Sequence, residues 1–139
     1  MIKELVKDTD ILSTRCEAAT PEDAELAQDL VDTVLSLEEG ACLAANQIGV
    51  TKAVVVYLDD DQTPHVLYNP KLLLGLGATK VIEGCLTLDE PSKVTRYAKI
   101  KVTFDELVDG TFRRRKRDYT GWTAQMIQHM IDHCNGKLV

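Results

Sequence analysis

The chain has 139 residues, 45% hydrophobic and 27% charged, the usage of one globular domain with one core. Its net charge of −6 and 5% aromatic content argue against a nucleic-acid surface, since phosphates repel the charge and bases find few rings to stack on. No apolar run approaches the ~20 residues that span a bilayer, and Met1 to Asp10 carry Lys3, Glu4, Lys7 and Asp8 where a signal peptide would be apolar. The expected compartment is therefore the cytoplasm, with no membrane and no DNA partner.

Thr20-Pro21-Glu22-Asp23 reads as a helix start, with Thr20 as cap, Pro21 in the first turn and Asp23 at the positive end of the dipole. Apolar residues then recur at helical spacing from Ala27 to Leu35, and Gly40 is a natural stop. The expected helix covers Pro21 to Glu39. Strand signals follow from Lys52 to Leu58. Asp59-Asp60-Asp61 turns the chain, and His65 to Tyr68 pairs back as a hairpin that Asn69-Pro70 should break. Further strands are expected at Thr79 to Glu83, Ala98 to Phe104 and Thr111 to Arg117, the last after an Asp109-Gly110 turn. A second helix starts at the cap candidate Thr120 and stops at Asn135-Gly136. Strands clustered between two helices give an α+β fold with a mostly antiparallel sheet packed around a C-terminal helix. No repeat or linker divides it, so residues 1–139 read as one domain.

Gln128-His129-Met130-Ile131-Asp132-His133 sets two histidines at i and i+4, roughly 40° apart on a helix, close enough to reach one ion. Alone, such a pair is more often solvated or packed in a core. Cys85, beside Gly84, offers a third ligand, and alone it reads as a buried cysteine next to a turn. Cys16, Cys42 and Cys134 complete neither a disulfide framework nor a CxxC zinc pair, and read as small buried hydrophobes. One thiolate and two imidazoles suit a borderline divalent ion and leave a fourth position open. Gly40-Ala41-Cys42-Leu43-Ala44-Ala45-Asn46-Gln47 packs closely against something and brings the amide of Gln47. No phosphate loop or Ser-His-Asp set is visible, and His65 reads as structural or exposed.

In this order and spacing, GACLAANQ, EGCLT and QHMIDH resemble the three motifs of the peptide deformylases, GxGLAAxQ, EGCLS and QHExDH. The resemblance runs from about Asp10 to Val139. It implies a peptide-deformylase-like fold and removal of the formyl group from the N-terminal formyl-methionine of new bacterial proteins. It implies Cys85, His129 and His133 as ligands of one divalent transition metal, Fe2+, Zn2+ or Ni2+. Gln47 and the backbone N–H of Leu86 would donate to the developing oxyanion, while Glu83, Arg96 and Asp132 would support the ligands. Cys42, Leu43, Gln125 and Met126 would line the substrate pocket.

The sequence departs from the family at Met130, where the family carries the glutamate that acts as general base. Residual activity is expected rather than full activity, with a silent metal-binding protein that holds blocked peptide N-termini as the alternative. Helical periodicity lets Asp132 approach the metal, but the family has aspartate there as well, and Arg96 is its expected partner. Cys42 stands for a family glycine and would narrow the site or place a reactive thiol in it. Thr87 for serine is a mild change. Gln125 makes the pocket more polar than a methionine pocket needs, and Trp122 is expected in the core. Arg113 to Arg117, five cations in an acidic protein, read as a solvated strand, with a transient ribosome contact or an acidic partner as the other reading.

Overall fold

A computed structural model describes residues 1–38 and 40–139. The α-helices are α1 (Thr9–Leu12), α2 (Ala24–Ser36) and α3 (Gly121–Cys134). The strands are β1 (Cys42–Ala44), β2 (Val54–Leu58), β3 (Pro64–Cys85), β4 (Leu88–Val108) and β5 (Thr111–Thr120). They form one antiparallel sheet in the order β1-β2-β3-β4-β5. The α+β expectation, with a mostly antiparallel sheet and a C-terminal helix, holds.

The sheet is buried on both faces near its start. Val54, Val56 and Leu58 of β2 pack towards α2 with Leu30 and Val34, while Val55 and Tyr57 pack towards α3 with Ile127 and Met130. This is why five consecutive residues of β2 are buried although strand side chains alternate. Each such Val, Leu or Ile contributes about 1.5–3 kcal/mol by leaving water.

The start of α2 follows the sequence. Thr20 and Asp23 form a reciprocal capping box over a short 3-10 turn, Pro21–Asp23. The α-helical part ends at Ser36, because Leu37 is extended; the expected end at Glu39 lies outside the described residues. Gly40 follows the helix rather than capping it. A Cβ there would meet Leu37 Cβ at 2.8 Å and the carbonyl of Val34 at 2.9 Å.

Asn69-Pro70 does not end its strand. Asn69 takes a left-handed φ of 53°; the pairing of β3 with β2 ends at Tyr68, which also pairs with Asp105 of β4, and the pairing with β4 resumes at Lys71 across a register irregularity. Its carboxamide is held by Ala19 and Asp105, so the Asn side chain stabilises a bulge in place of a break. The strands expected at Thr79 to Glu83 and Ala98 to Phe104 are inner portions of the long β3–β4 hairpin. Asp109 and Gly110 make the next turn with φ of 51° and 81°. β5 runs three residues past Arg117, and Thr120 holds the cap position of α3 in extended conformation without a side-chain capping bond. Among the described residues no helix is long and apolar enough to cross a membrane.

Candidate metal centre

Three elements meet at one point. β3 ends on Cys85, and Leu86-Thr87 turn the chain into β4. α3 brings His129 and His133 from the same face, and a 3-10 turn after β1, Ala45–Ile48, brings Gln47. The donor atoms of Cys85, His129 and His133 lie within 4.8 Å of one another. His133 Nε2 is 3.0 Å from His129 Nε2 and 3.5 Å from Cys85 Sγ. A tetrahedral ion with bonds of about 2.0–2.3 Å sets its donors roughly 3.3–3.6 Å apart. The donor set and its spacing therefore fit one borderline divalent ion.

The charges around the donors are arranged for ligation. Burial alone would raise the Cys85 thiol, but hydrogen bonds from His129, His133 and Thr87 outweigh it and bring it down to about 5. Burial would likewise lower His129, yet Cys85 and Glu83 raise it to about 9. Glu83 accepts from His129 Nδ1 at 2.8 Å, which leaves Nε2 of that ring for a ligand. Burial opposes the charge on Glu83, but His129 and Arg96 hold its carboxyl down at about 2. Arg96 grips both Glu83 oxygens at 2.8 Å and Asp132 at 2.7 Å. Asp132 also faces Lys137 at 3.6 Å and lines a different cavity from the cleft at the donors.

Gln47 is 1% exposed. Its Oε1 accepts from the Ala44 N–H at 2.9 Å, so its amide nitrogen is turned inward, 3.5 Å from Cys85 Sγ and 3.3 Å from Thr87 Oγ1. Thr87 in turn lies 3.3 Å from the Cys85 sulfur, so the hydroxyl at this position adjoins the donor set.

Cys85 and His129 open onto a cleft of about 410 Å³. Cys42, Gln125, Met126 and Met130 line it together with Gln47 and Leu86. Leu43 does not. Alternation along β1 turns Cys42 and Ala44 towards the α3 side and Leu43 towards α2, where it is fully buried. Burial pushes the Cys42 thiol up to about 12, with the charges of Cys85 and Glu83 adding to it, so Cys42 narrows the cleft as a neutral thiol. Gln125 does not present a free amide: its nitrogen donates to Glu83 at 2.9 Å.

Trp122 corrects the core expectation. It is 60% exposed and stands with the exposed Ile82 at the cleft. The helical stripe Trp122, Gln125, His129 (i, i+3, i+7) follows the cleft face and runs on to the buried His133, whereas Ala124, Ile127 and Ile131 face the sheet. That stripe was readable once the histidines were assigned. His65, away from the cleft, is half-exposed, paired with Asp59 at 2.8 Å and stacked on Tyr57.

Fold and donor set together define a chain that can hold one divalent ion at the bottom of an open cleft. The polypeptide deformylase family model matches residues 2–139. The peptide deformylase of Clostridium beijerinckii is 37% identical over 140 residues, covering 100% of both chains. Peptide deformylase 1 of Bacillus subtilis is 34% identical, over 98% of this chain and 86% of its own length. A solved peptide deformylase from Legionella pneumophila superposes with a TM-score of 0.84 at 29% identity, over 99% of this chain and 83% of that one. The chain belongs to the polypeptide deformylase family, whose members use a divalent metal and act on formylated N-termini of nascent peptides.

Proposed function

We propose that this chain is a single-domain, cytoplasmic metallohydrolase that removes the formyl group from N-terminal formyl-methionine, with turnover reduced by Met130. The observation that carries the reading is the convergence of Cys85, His129 and His133, the first two of which line a cleft that Met130 also lines. The proposed ion is Fe2+, Zn2+ or Ni2+, since a thiolate ligand favours these over magnesium. When bound, it supplies a Lewis acid that polarises a carbonyl and acidifies water.

The residues divide the remaining work. The inward amide of Gln47 and the backbone N–H of Leu86 are the donors for the oxyanion that forms as water adds to the formyl carbon. Glu83 fixes the ring of His129, and Arg96 fixes Glu83. Cys42, Gln125 and Met126 bound the space for the first side chain of the peptide. Cleavage of the formyl C–N bond then gives formate and a free amine, and the amine needs the proton that the attacking water loses.

Among the described residues, no group in the cleft is suited to carry that proton. A thioether cannot accept it. Glu83 is the one carboxylate among the described residues lining the cleft, and its oxygens are already bound by Arg96, His129 and Gln125. A carboxyl held at about 2 is a poor base at neutral pH. Asp132 is committed to Arg96. Solvent must take that proton and return one to the leaving amine, and the loss of a positioned base costs roughly 10²–10⁴-fold in rate.

The second reading, a silent protein that holds blocked peptide N-termini, is favoured by the same absence of a base. Formate release from a formyl-Met peptide separates the two. Slow, chelator-sensitive release is expected; binding of the peptide with no release at all establishes the silent protein.

A transient ribosome contact would use the edge strand β5. Arg114 and Arg115 pair with Asp105 and Glu106 at 2.9 and 3.2 Å, while Arg113 and Lys116 have no ion pair among the described residues.

A further inference from the structure

His133 offers its Nε2 to the donor cluster, so its other nitrogen, Nδ1, must carry the ring hydrogen for that lone pair to be free. His129 solves the same problem with Glu83. For His133 no such partner is present among the described residues: Nδ1 is buried and unbonded. Asn46 is fully buried against the same residue, where its Nδ2 donates to the main-chain carbonyl of His133 at 2.9 Å. A carbonyl can only accept, so this bond fixes which end of the carboxamide is nitrogen. The remaining end, Oδ1, is also buried and unbonded. An orphan acceptor and an orphan donor thus sit on two side chains already tied to the same residue.

We infer that Asn46 is the positioning residue of His133: its Oδ1 takes the Nδ1–H through a bridging water, the two atoms making no direct bond, and holds the ring as a ligand. A polar pocket with two such groups is where a buried water is retained. Asn46 and Gln47 then act from one short turn, the first behind a ligand and the second in front of the open site. The inference rests on the metal-centre reading above and goes beyond it, because the GACLAANQ segment now steadies the ion as well as the substrate.

The test is zinc affinity of the full-length protein, measured by competition with a chromophoric chelator, with melting of the metal-free form as the check on folding. Asn46→Leu should bind zinc about 10–100-fold more weakly, the usual cost of removing a ligand's outer partner. Asn46→Asp keeps an acceptor for Nδ1–H but loses the donor to the carbonyl, and should stay within a few-fold of wild type. A purely structural role for the Nδ2 bond predicts the reverse, with Asn46→Asp falling as far as Asn46→Leu, and that result overturns the proposal. The zinc-loaded wild type gives a reading independent of any variant. Nitrogen-15 histidine spectra should show one slowly exchanging proton on Nδ1 of His133, and rapid exchange there contradicts the assignment. Wild type that binds no zinc overturns the metal centre itself, whereas wild type and Asn46→Leu binding equally overturns the role of Asn46 alone.

Discussion

Met130 is 1% exposed and packs with Ile127 and Ile131 in the core beneath α3 while also lining the cleft. It therefore fills space that a carboxylate would occupy only with solvent or a partner at hand. Around it, the donors are pre-set for metal uptake. At neutral pH Cys85, at about 5, is a thiolate, and His129, at about 9, is an imidazolium. Ligation needs the thiolate and a neutral ring. Zinc binding at pH 7 should release a proton from His129, and a second from Cys85 below about pH 5. Calorimetry in buffers of different ionisation enthalpy reads this number, and zero release at pH 7 would contradict the charge assignment. In the metal-free protein the signs differ for the two groups. His129 is raised from 6.5, so its contribution is complete below that value and fades as pH rises through about 9. Cys85 is lowered from 9.0, so its contribution fades as pH falls through about 5. Gln47 makes a separate claim. Gln47→Ala should weaken a hydroxamate ligand or slow hydrolysis by roughly 3–4 kcal/mol, the worth of one oxyanion donor. Unchanged affinity and rate would remove Gln47 from that role.

At the scale of elements, Arg96 is the tie between β3, β4 and α3. It sits 7% exposed between Glu83 and Asp132. Arg96→Leu leaves a buried carboxylate uncompensated, which costs about 3–5 kcal/mol. Urea unfolding of the metal-free variant should show that loss, and a midpoint equal to wild type would mean the network is solvent-screened. This tie also shows what a sequence can reveal. The pairing of Asp132 with Arg96 is readable only through the family resemblance, because Arg96 lies on β4, outside the three motifs. The i, i+4 histidines are readable because helical spacing is local. The bulge at Asn69 is not, because its left-handed backbone is stabilised by Ala19 and Asp105, far away in the chain. Nor is Gln125 as a partner of Glu83, since nothing local distinguishes a pocket amide from a tethered one. Trp122 defeats the reading that large aromatics are buried because its helical stripe runs out past the sheet and over the cleft. The alternation along β1 decides Cys42 and Leu43, but its phase is set by packing against α2 and α3.

For the whole molecule, the candidate ion joins the β3–β4 turn to α3, so its binding should stabilise the fold as a unit. At free metal one hundred times the dissociation constant, linkage adds about 2.7 kcal/mol, or roughly 5–10 °C in Tm for a chain of this size. Cys85→Ser should abolish most of that shift, and an equal shift in the variant would show that metal binds elsewhere. The fold is that of the deformylases, and Cys85, His129 and His133 could hold one metal ion; among the departures from the family motifs, Met130 bears most directly on turnover. The most direct measurement is formate release from a formyl-Met peptide by wild type and Met130→Glu, each loaded with the same metal. The glutamate variant should be faster by roughly 10²–10⁴-fold with unchanged metal content. Equal rates in the two proteins would contradict the account, because another group would then be supplying the base that the cleft lacks.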